Sequence, residues 1–316
     1  MQKLHIFCDF INGASFAGEQ KLTPDMLSRL PEGTVLEPEG EKGESVRFER
    51  IRDAIFEAAM PGGEHMIFRV ILGVENQSFV DYGMVIRDLG YEMANYTEQL
   101  KLLKQKRRDE KSLTSGDEYL SGIKREDKLV PVVNFVFYYG EKVWDGSTRL
   151  FELLDVPKGE EWVYQYISDY KINLVHAGNV DPKNFKTGLR QVFELLPYSG
   201  NAEKLEAYVT EHREEFSDVT EETFDLLATF LSGRETAIIL KKKKFQNEKG
   251  SGYNMCTAFQ QMREEGINQG INQGIKALVE AFKEIGVSRE DTRTKLKEKF
   301  HLNGEKAEKY MMEYWK

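Results

Sequence analysis

Apolar residues recur at helical spacing from Leu4 to Phe16, which predicts a first helix ending near Gly18. A loop rich in Pro, Gly and Glu follows, running through Pro31, Pro38, Gly40 and Gly43. From Val46 to Ala59 the apolar positions Val46, Phe48, Ile51, Ile55 and Phe56 fit either a strand or a helix, and Pro61-Gly62-Gly63 reads as a turn. Met66 to Val74 (MIFRVILGV) is β-branched and aromatic, as a buried strand requires. Tyr82 to about Arg108 returns to helical periodicity through Ile86, Leu89, Met93, Tyr96, Leu100 and Leu103. A polar loop, Ser112 to Asp127, then leads to Leu129–Tyr139 (LVPVVNFVFYY), a near-continuous apolar run of the kind found in a central strand covered on both faces. Leu150 to Leu154 reads as helical and Lys171 to Val175 as a short strand, and from Phe185 onward the pattern is helical throughout.

The last third differs in kind. Phe216 to Leu231 reads as one helix, and the Lys241–Lys244 tetrad falls in a flexible segment ending at Gly252. The four-residue repeat GINQGINQGI then sets Gly266, Gly270 and Gly274 on one helical face, flanked by Ile267, Ile271 and Ile275. Each glycine costs a helix about 1 kcal/mol, so the repeat predicts either close approach of another helix, within a homodimer for example, or a loosely helical linker. Ile275–Gly286 and Ser288–Trp315 close the chain as a helical pair, with Ser288 and Asp291 as a capping pair. The division expected is 1–195 as an α/β domain and 196–316 as a helical region, with a linker near 241–254 and an oligomerisation helix at 255–285.

Composition narrows the function classes. No run of 18 apolar residues occurs in the 316, and Met1–Phe10 lacks the basic start and apolar stretch of a signal peptide, so no membrane span is expected. Cys8 and Cys256 lie too far apart in sequence to form a metal cluster alone and read as reduced thiols of a cytoplasmic protein. The net charge of −9 argues against a simple coat for nucleic acid, yet the basic residues are clustered. Lys101, Lys104, Lys106, Arg107, Arg108 and Lys111 form one run and Lys241–Lys244 another; either serves as a phosphate contact or as a solvated face. The five histidines have no catalytic or zinc spacing, and no glycine-rich phosphate loop follows a strand.

Glu75-Asn76-Gln77 closes the Met66–Val74 strand. Residues two apart on a strand share a face, so Glu75 can hold a cation while Gln77 faces the same water, and the Asn76 backbone carbonyl can turn to the metal. Hydrolysis of a phosphodiester at neutral pH needs a hard cation such as Mg²⁺, which takes carboxylate and carbonyl oxygens. A second carboxylate has to come from a neighbouring strand, and Asp53, 22 residues upstream across the Pro61–Gly63 turn, is the candidate. The element order is helix, strand with Asp, strand with Glu-x-Gln, long helix, strand: the order of a PD-(D/E)xK nuclease core.

The stretches FCDFINGASFAGEQKLTPDML, IRDAIFEA, ILGVENQS, DYGMVIRDLGYEMANY, GDEYLSGIKREDKLVPVVNFVFYYGEKVWDG and DYKINLV resemble the recombination-promoting nuclease (Rpn) family, also labelled transposase-like, of the PD-(D/E)xK superfamily. The resemblance runs from Phe7 to about Val175. It implies a mixed central sheet flanked by helices and a Mg²⁺-dependent DNA endonuclease (Mn²⁺ substituting), with Asp53 and Glu75 as metal ligands and Gln77 in the position of the superfamily lysine. Asp9 and Asn12 match a family Asp-x-x-Asn behind the metal ligands, and Arg87 and Tyr91 a family Arg-x-x-x-Tyr that contacts phosphate or braces the helix. Two departures stand out: Gln77 cannot act as a general base, and MVIRDLG lacks the proline common before the family's Arg. Those departures keep open a catalytically weak core that serves as a DNA-binding or assembly module. RNA is a further candidate substrate.

Overall fold

The computed structural model describes residues 2–30, 33–36, 48–51, 53–62, 67–231 and 252–315. The Pro38–Gly43 stretch and the Lys241–Lys244 tetrad lie outside them, as does most of the linker expected near 241–254. No described helix is long and apolar enough to cross a membrane. The chain divides into two compact units, Met1–Gly200 with Glu222–Ser232, and Asn201–Glu221 with Gly233–Lys316.

The first unit is built on a five-stranded mixed sheet. Helix α1 (Leu4–Ser15) is followed by β1 (Leu27–Arg29), β2 (Gly33–Leu36), β3 (Phe48–Ile51), β4 (Ala54–Pro61) and β5 (Ile67–Gln77). Then come α2 (Met84–Asp109), α3 (Gly116–Ser121), β6 (Val132–Tyr138), β7 (Asn173–Val175) and α4 (Leu189–Leu195). The sheet order is β1-β4-β5-β6-β7, while β2 and β3 pair with each other in a separate ribbon. β1, β4 and β5 are antiparallel and β5, β6 and β7 parallel. Within the described residues the ambiguous Val46–Ala59 segment is therefore strand, as β3 to Ile51 and as β4 from Ala54. The Met66–Val74 strand runs on to Gln77, because β6 continues to pair with it through Gln77↔Tyr138.

Register sorts the side chains between two faces. Ile55 pairs with Gly73, Ile71 with Val132 and Glu75 with Val136, so these residues share one face with Gln77, Asn134 and Tyr138. Helix α2 covers that face: Met84 and Val85 pack with Val136 and Ile172, and Tyr96 with Ile55, Ile71 and Val132. The opposite face carries Phe56, Phe135 and Phe137. Phe7 and Phe10 of α1, Phe193 of α4 and Phe230 of α7 (Glu221–Phe230) meet it in ring contacts 4.6 to 6.2 Å between centroids. Both faces of β6, and of β5 from Val70 onward, are thus covered, which is why these stretches read as apolar runs rather than as alternation.

The second unit is helical. It contains α5 (Ala202–Glu211), α6 (Arg213–Phe216), α8 (Met255–Glu284), α9 (Arg289–Phe300) and α10 (Gly304–Tyr314). Ile275, Val279, Leu296 and Met311 form the core of its last three helices.

Three segments depart from the periodicity. The polar loop Ser112–Asp127 holds α3, started by a capping box in which the Ser115 side chain accepts from Glu118 N–H and the Glu118 carboxylate accepts from Ser115 N–H. The single helix expected over Phe216–Leu231 is broken, since α6 ends at Phe216 and α7 begins at Glu221. Ser288–Trp315 is two helices, because His301 takes the left-handed conformation (φ 51°) and the Asn303 side chain caps α10 by accepting from Lys306 N–H at 2.9 Å. The glycine repeat lies within the continuous helix α8. A Cβ on Gly274 would sit 3.4 Å from Phe300, whereas one on Gly266 or Gly270 would meet nothing within 4 Å among the described residues, which leave the seam expected along this face open over two of its three glycines.

Candidate active site

The polar residues of the first unit converge where β5 runs past the start of β4. Glu75 and Gln77 are buried on the α2-facing side of β5, and Gln77 Nε2 donates to Glu75 Oε1 at 3.2 Å. Asn76 lies beyond the last β4–β5 pair, Ala54↔Val74, so no β4 residue remains to meet its backbone. Asp53 takes that place: its Oδ2 accepts from Asn76 N–H at 2.7 Å. β6 is served by the odd-numbered residues of β5, as Ile71 N–H to Pro131 O and Tyr139 N–H to Gln77 O show. The N–H and carbonyl of Asn76 therefore both point to the open side where Asp53 sits. Asp53, the Asn76 backbone and Glu75 meet at one strand end.

The first turn of α2 lays Arg87 across this end. Its Nη2 donates to Glu75 Oε1, its Nη1 to Asp81 Oδ2 at 2.8 Å, and its Nε to Tyr91 Oη at 3.3 Å. Asp81 is fixed in turn, because its Oδ1 accepts from Gly83 N–H at 2.9 Å in the turn that opens the helix. Deeper under α2, Asp88 accepts from Tyr170 Oη at 2.9 Å, and burial, reinforced by the Asp88 and Glu92 carboxylates, pushes the Tyr170 hydroxyl far above the ordinary phenol range. Burial likewise raises Tyr138, whose hydroxyl donates to Lys142 O at 2.7 Å.

Other candidates are engaged elsewhere. Asp9 is buried and accepts from Lys186 N–H, Thr187 N–H and the Thr187 hydroxyl at 2.6 to 2.8 Å, anchoring the approach to α4. Asn12 holds Leu22 through both its N–H and its carbonyl, at 2.9 and 2.8 Å. Both side chains tie α1 to its neighbours. On the basic run, Arg107 pairs with Asp127 through Nε and Nη2 and with Glu110 through Nη1. The Lys104 stem packs beside Gly122, whereas Lys101 and Arg108 are exposed. Lys101 is 14 residues past Arg87, roughly 21 Å along the helix, so it can touch only a different phosphate from the one at Glu75.

Four side chains here carry buried polar atoms without a hydrogen bond: Glu75 Oε2, Asn76 Oδ1, Gln77 Oε1 and both Oδ1 and Nδ2 of Asn134. Unmet buried polar groups of this kind are costly. Asn134, Asp81, Asp88 and Tyr170 escape sequence reasoning, although Asn134 was visible as the one polar residue in LVPVVNFVFYY. Among the described residues no group of three or more His, Cys, Asp or Glu is arranged to hold a metal ion. What the strand end offers is two carboxylates, a backbone carbonyl and an amide oxygen. Hard oxygen donors of that kind suit Mg²⁺, which fills the rest of its shell with water and substrate, and the orphaned Glu75 Oε2 and Gln77 Oε1 fit such a cation. Arg87 is the feature that does not, because it already occupies Glu75 Oε1.

Residues 44–197 match the family described as "Putative transposase, YhgA-like". No curated protein and no solved structure matches the chain.

Proposed function

Residues 44–197 belong to the YhgA-like transposase family, and on that premise we propose that the chain is a metal-dependent DNA endonuclease with a PD-(D/E)xK-type core, acting at the C-terminal end of β5. The observation that carries this reading is the pair of buried acceptors, Glu75 Oε2 and Gln77 Oε1, unpaired on the strand end whose Asn76 N–H is held by a second carboxylate, Asp53. A bound Mg²⁺ or Mn²⁺ supplies the activation of water and offsets the charge that builds on phosphorus.

The protein's part is positioning. Glu75 and Asp53, with the Asn76 carbonyl, offer the oxygen ligands. The Gln77 amide orients water without taking its proton. Arg87 supplies the fixed positive charge that a glutamine in the lysine position lacks. The proposed division of labour gives catalysis to 1–195 and leaves 196–316 as an accessory helical region.

Supercoiled plasmid, incubated with the protein and Mg²⁺ or Mn²⁺, is expected to be nicked by the native chain and spared by Glu75→Ala and Asp53→Asn, with an RNA of matched length assayed in parallel. Native and variant proteins that behave alike would remove the catalytic reading. The Arg87–Glu75 ion pair favours a second reading, a DNA-binding or assembly module on a silent nuclease core, since it already neutralises the central acid. That reading expects DNA retention in gel shifts with no metal-dependent nicking.

A further inference from the structure

Arg87 reaches three partners from one guanidinium, and the three differ in kind. Tyr91 is one helical turn away on α2 itself, and Asp81 is locked by its bond to Gly83 N–H, so both hold the guanidinium from the helix start. Glu75 belongs to the sheet, and only one of its oxygens is engaged; Oε2 is buried and bare. The side chain of Arg87 stays 27% exposed, against 9% for Glu75, so the guanidinium is the part of this cluster that an arriving anion meets first.

We propose that Arg87 is an exchangeable counter-ion of Glu75, so that a divalent cation and a DNA phosphate bind this site with positive coupling. This rests on the nuclease reading above. A guanidinium on one oxygen of a buried carboxylate and a divalent cation on the other repel each other and compete for its charge. When the carboxylate turns to a cation, Arg87 retreats to Asp81 and Tyr91, and its freed Nη2 edge is directed outward. A phosphate oxyanion is the ligand that a planar guanidinium fork fits best. Conversely, a phosphate that draws Arg87 outward leaves Glu75 with both oxygens unneutralised in a buried setting, where a cation is strongly favoured. Each ligand thus removes an obstacle to the other, and the coupling is necessarily reciprocal. Alone, the cation competes with Arg87 and binds weakly. Asp81 is the positioning residue, because it is the carboxylate onto which Arg87 falls back.

Mn²⁺ binding to the full-length chain, followed by calorimetry with and without a duplex made non-cleavable by phosphorothioate linkages, tests the proposal. For the native chain the duplex should raise Mn²⁺ affinity about tenfold, within the usual range of coupling between two sites. Arg87→Gln should bind Mn²⁺ alone more tightly than native and should show no gain from the duplex. Native-like coupling in Arg87→Gln, or weaker binding of Mn²⁺ alone, overturns the proposal. Should Arg87→Gln fail to fold by circular dichroism, Asp81→Asn keeps the turn acceptor and removes the fall-back charge. Its coupling should drop, and unchanged coupling overturns the proposal. Glu75→Ala separates the two levels: Mn²⁺ binding that survives in this variant, or that is absent from the native chain, overturns the nuclease reading together with the proposal. Binding lost in Glu75→Ala but coupled normally in Arg87→Gln overturns the proposal alone.

Discussion

Helix α2 carries an arginine–carboxylate cluster at each end, and the two are built on opposite principles. At the C-terminal end Arg107 grips Asp127 with two nitrogens and Glu110 with a third, while Asp127 also accepts from Lys124 N–H at 2.8 Å. Such a cluster is closed: it ties the segment after α3 back onto the helix. At the N-terminal end Arg87 holds one oxygen of Glu75 and leaves the other bare, beside an amide oxygen that is also bare. Unmet buried acceptors cost stability unless water or a ligand meets them. A closed cluster is explained by the fold, whereas an open one leaves room for something that binds.

The strongest way to break this contrast is to remove the acid from the open cluster. Glu75→Ala should reduce plasmid nicking about 1000-fold, the scale of several kcal/mol of charge stabilisation by a held cation. It should also cost some stability, because Arg87 Nη2 and Gln77 Nε2 both lose the oxygen that accepts from them. A variant that loses its fold while the native chain shows no nicking would make Glu75 a structural acid like Asp127.

Some of this was legible before any coordinates. The apolar run MIFRVILGV announced a strand that is buried from Val70 but exposed at Ile67 and Phe68, and Glu75-Asn76-Gln77 stood out because a polar tripeptide continues its buried part. Hairpin arithmetic also led to Asp53, since pairing across Pro61 brings residue 54 to residue 74. The Arg87–Glu75 contact was not legible, because it depends on how α2 crosses the sheet after a turn whose geometry Asp81 and Gly83 set between themselves. Arg107 was misleading for a related reason: a basic run looks available for phosphate until Asp127, 20 residues away in sequence, is found beside it. The breaks after Phe216 and at His301 were invisible because apolar periodicity continues across each of them. A single left-handed residue that is not glycine leaves no compositional mark.

The closed cluster makes a smaller prediction with the opposite sign. Asp127→Asn should lower the thermal midpoint and leave Mn²⁺ binding at the distant strand end unchanged. Hydrogen bonding from Arg107 holds the Asp127 carboxyl below its ordinary value of 3.8. A depressed folded-state value means that this stabilisation is complete above the unfolded value and fades as pH falls through the folded one. The native chain should therefore lose stability below about pH 4 along a slope that Asp127→Asn lacks. The same variant frees Arg107. If DNA affinity rises as the charge is released, the basic run is a phosphate contact restrained by its partner. Unchanged affinity leaves it as a brace.

The smallest expected effect lies in the second unit, where α8 poses the question of openness for backbone rather than for charge. Gly266 and Gly270 lie within a continuous helix where an added Cβ meets nothing within 4 Å among the described residues. Replacing each by Ala should then stabilise the unit by about 1 kcal/mol, the helix penalty of glycine, read as a higher urea midpoint at unchanged slope. Gly274 is the internal control, because Phe300 sits 3.4 Å from its Cβ position and Ala there must displace the ring or gain less. The outcome to watch is a loss of stability, or a fall in molecular mass by light scattering, in Gly266→Ala and Gly270→Ala. Nothing among the described residues accounts for such a loss, so it would mean that a further segment, such as a second helix, presses on this face. The glycines would then resemble Glu75, an unmet feature kept for a partner, whereas a simple gain in stability makes them tolerated helix residues with no seam to serve.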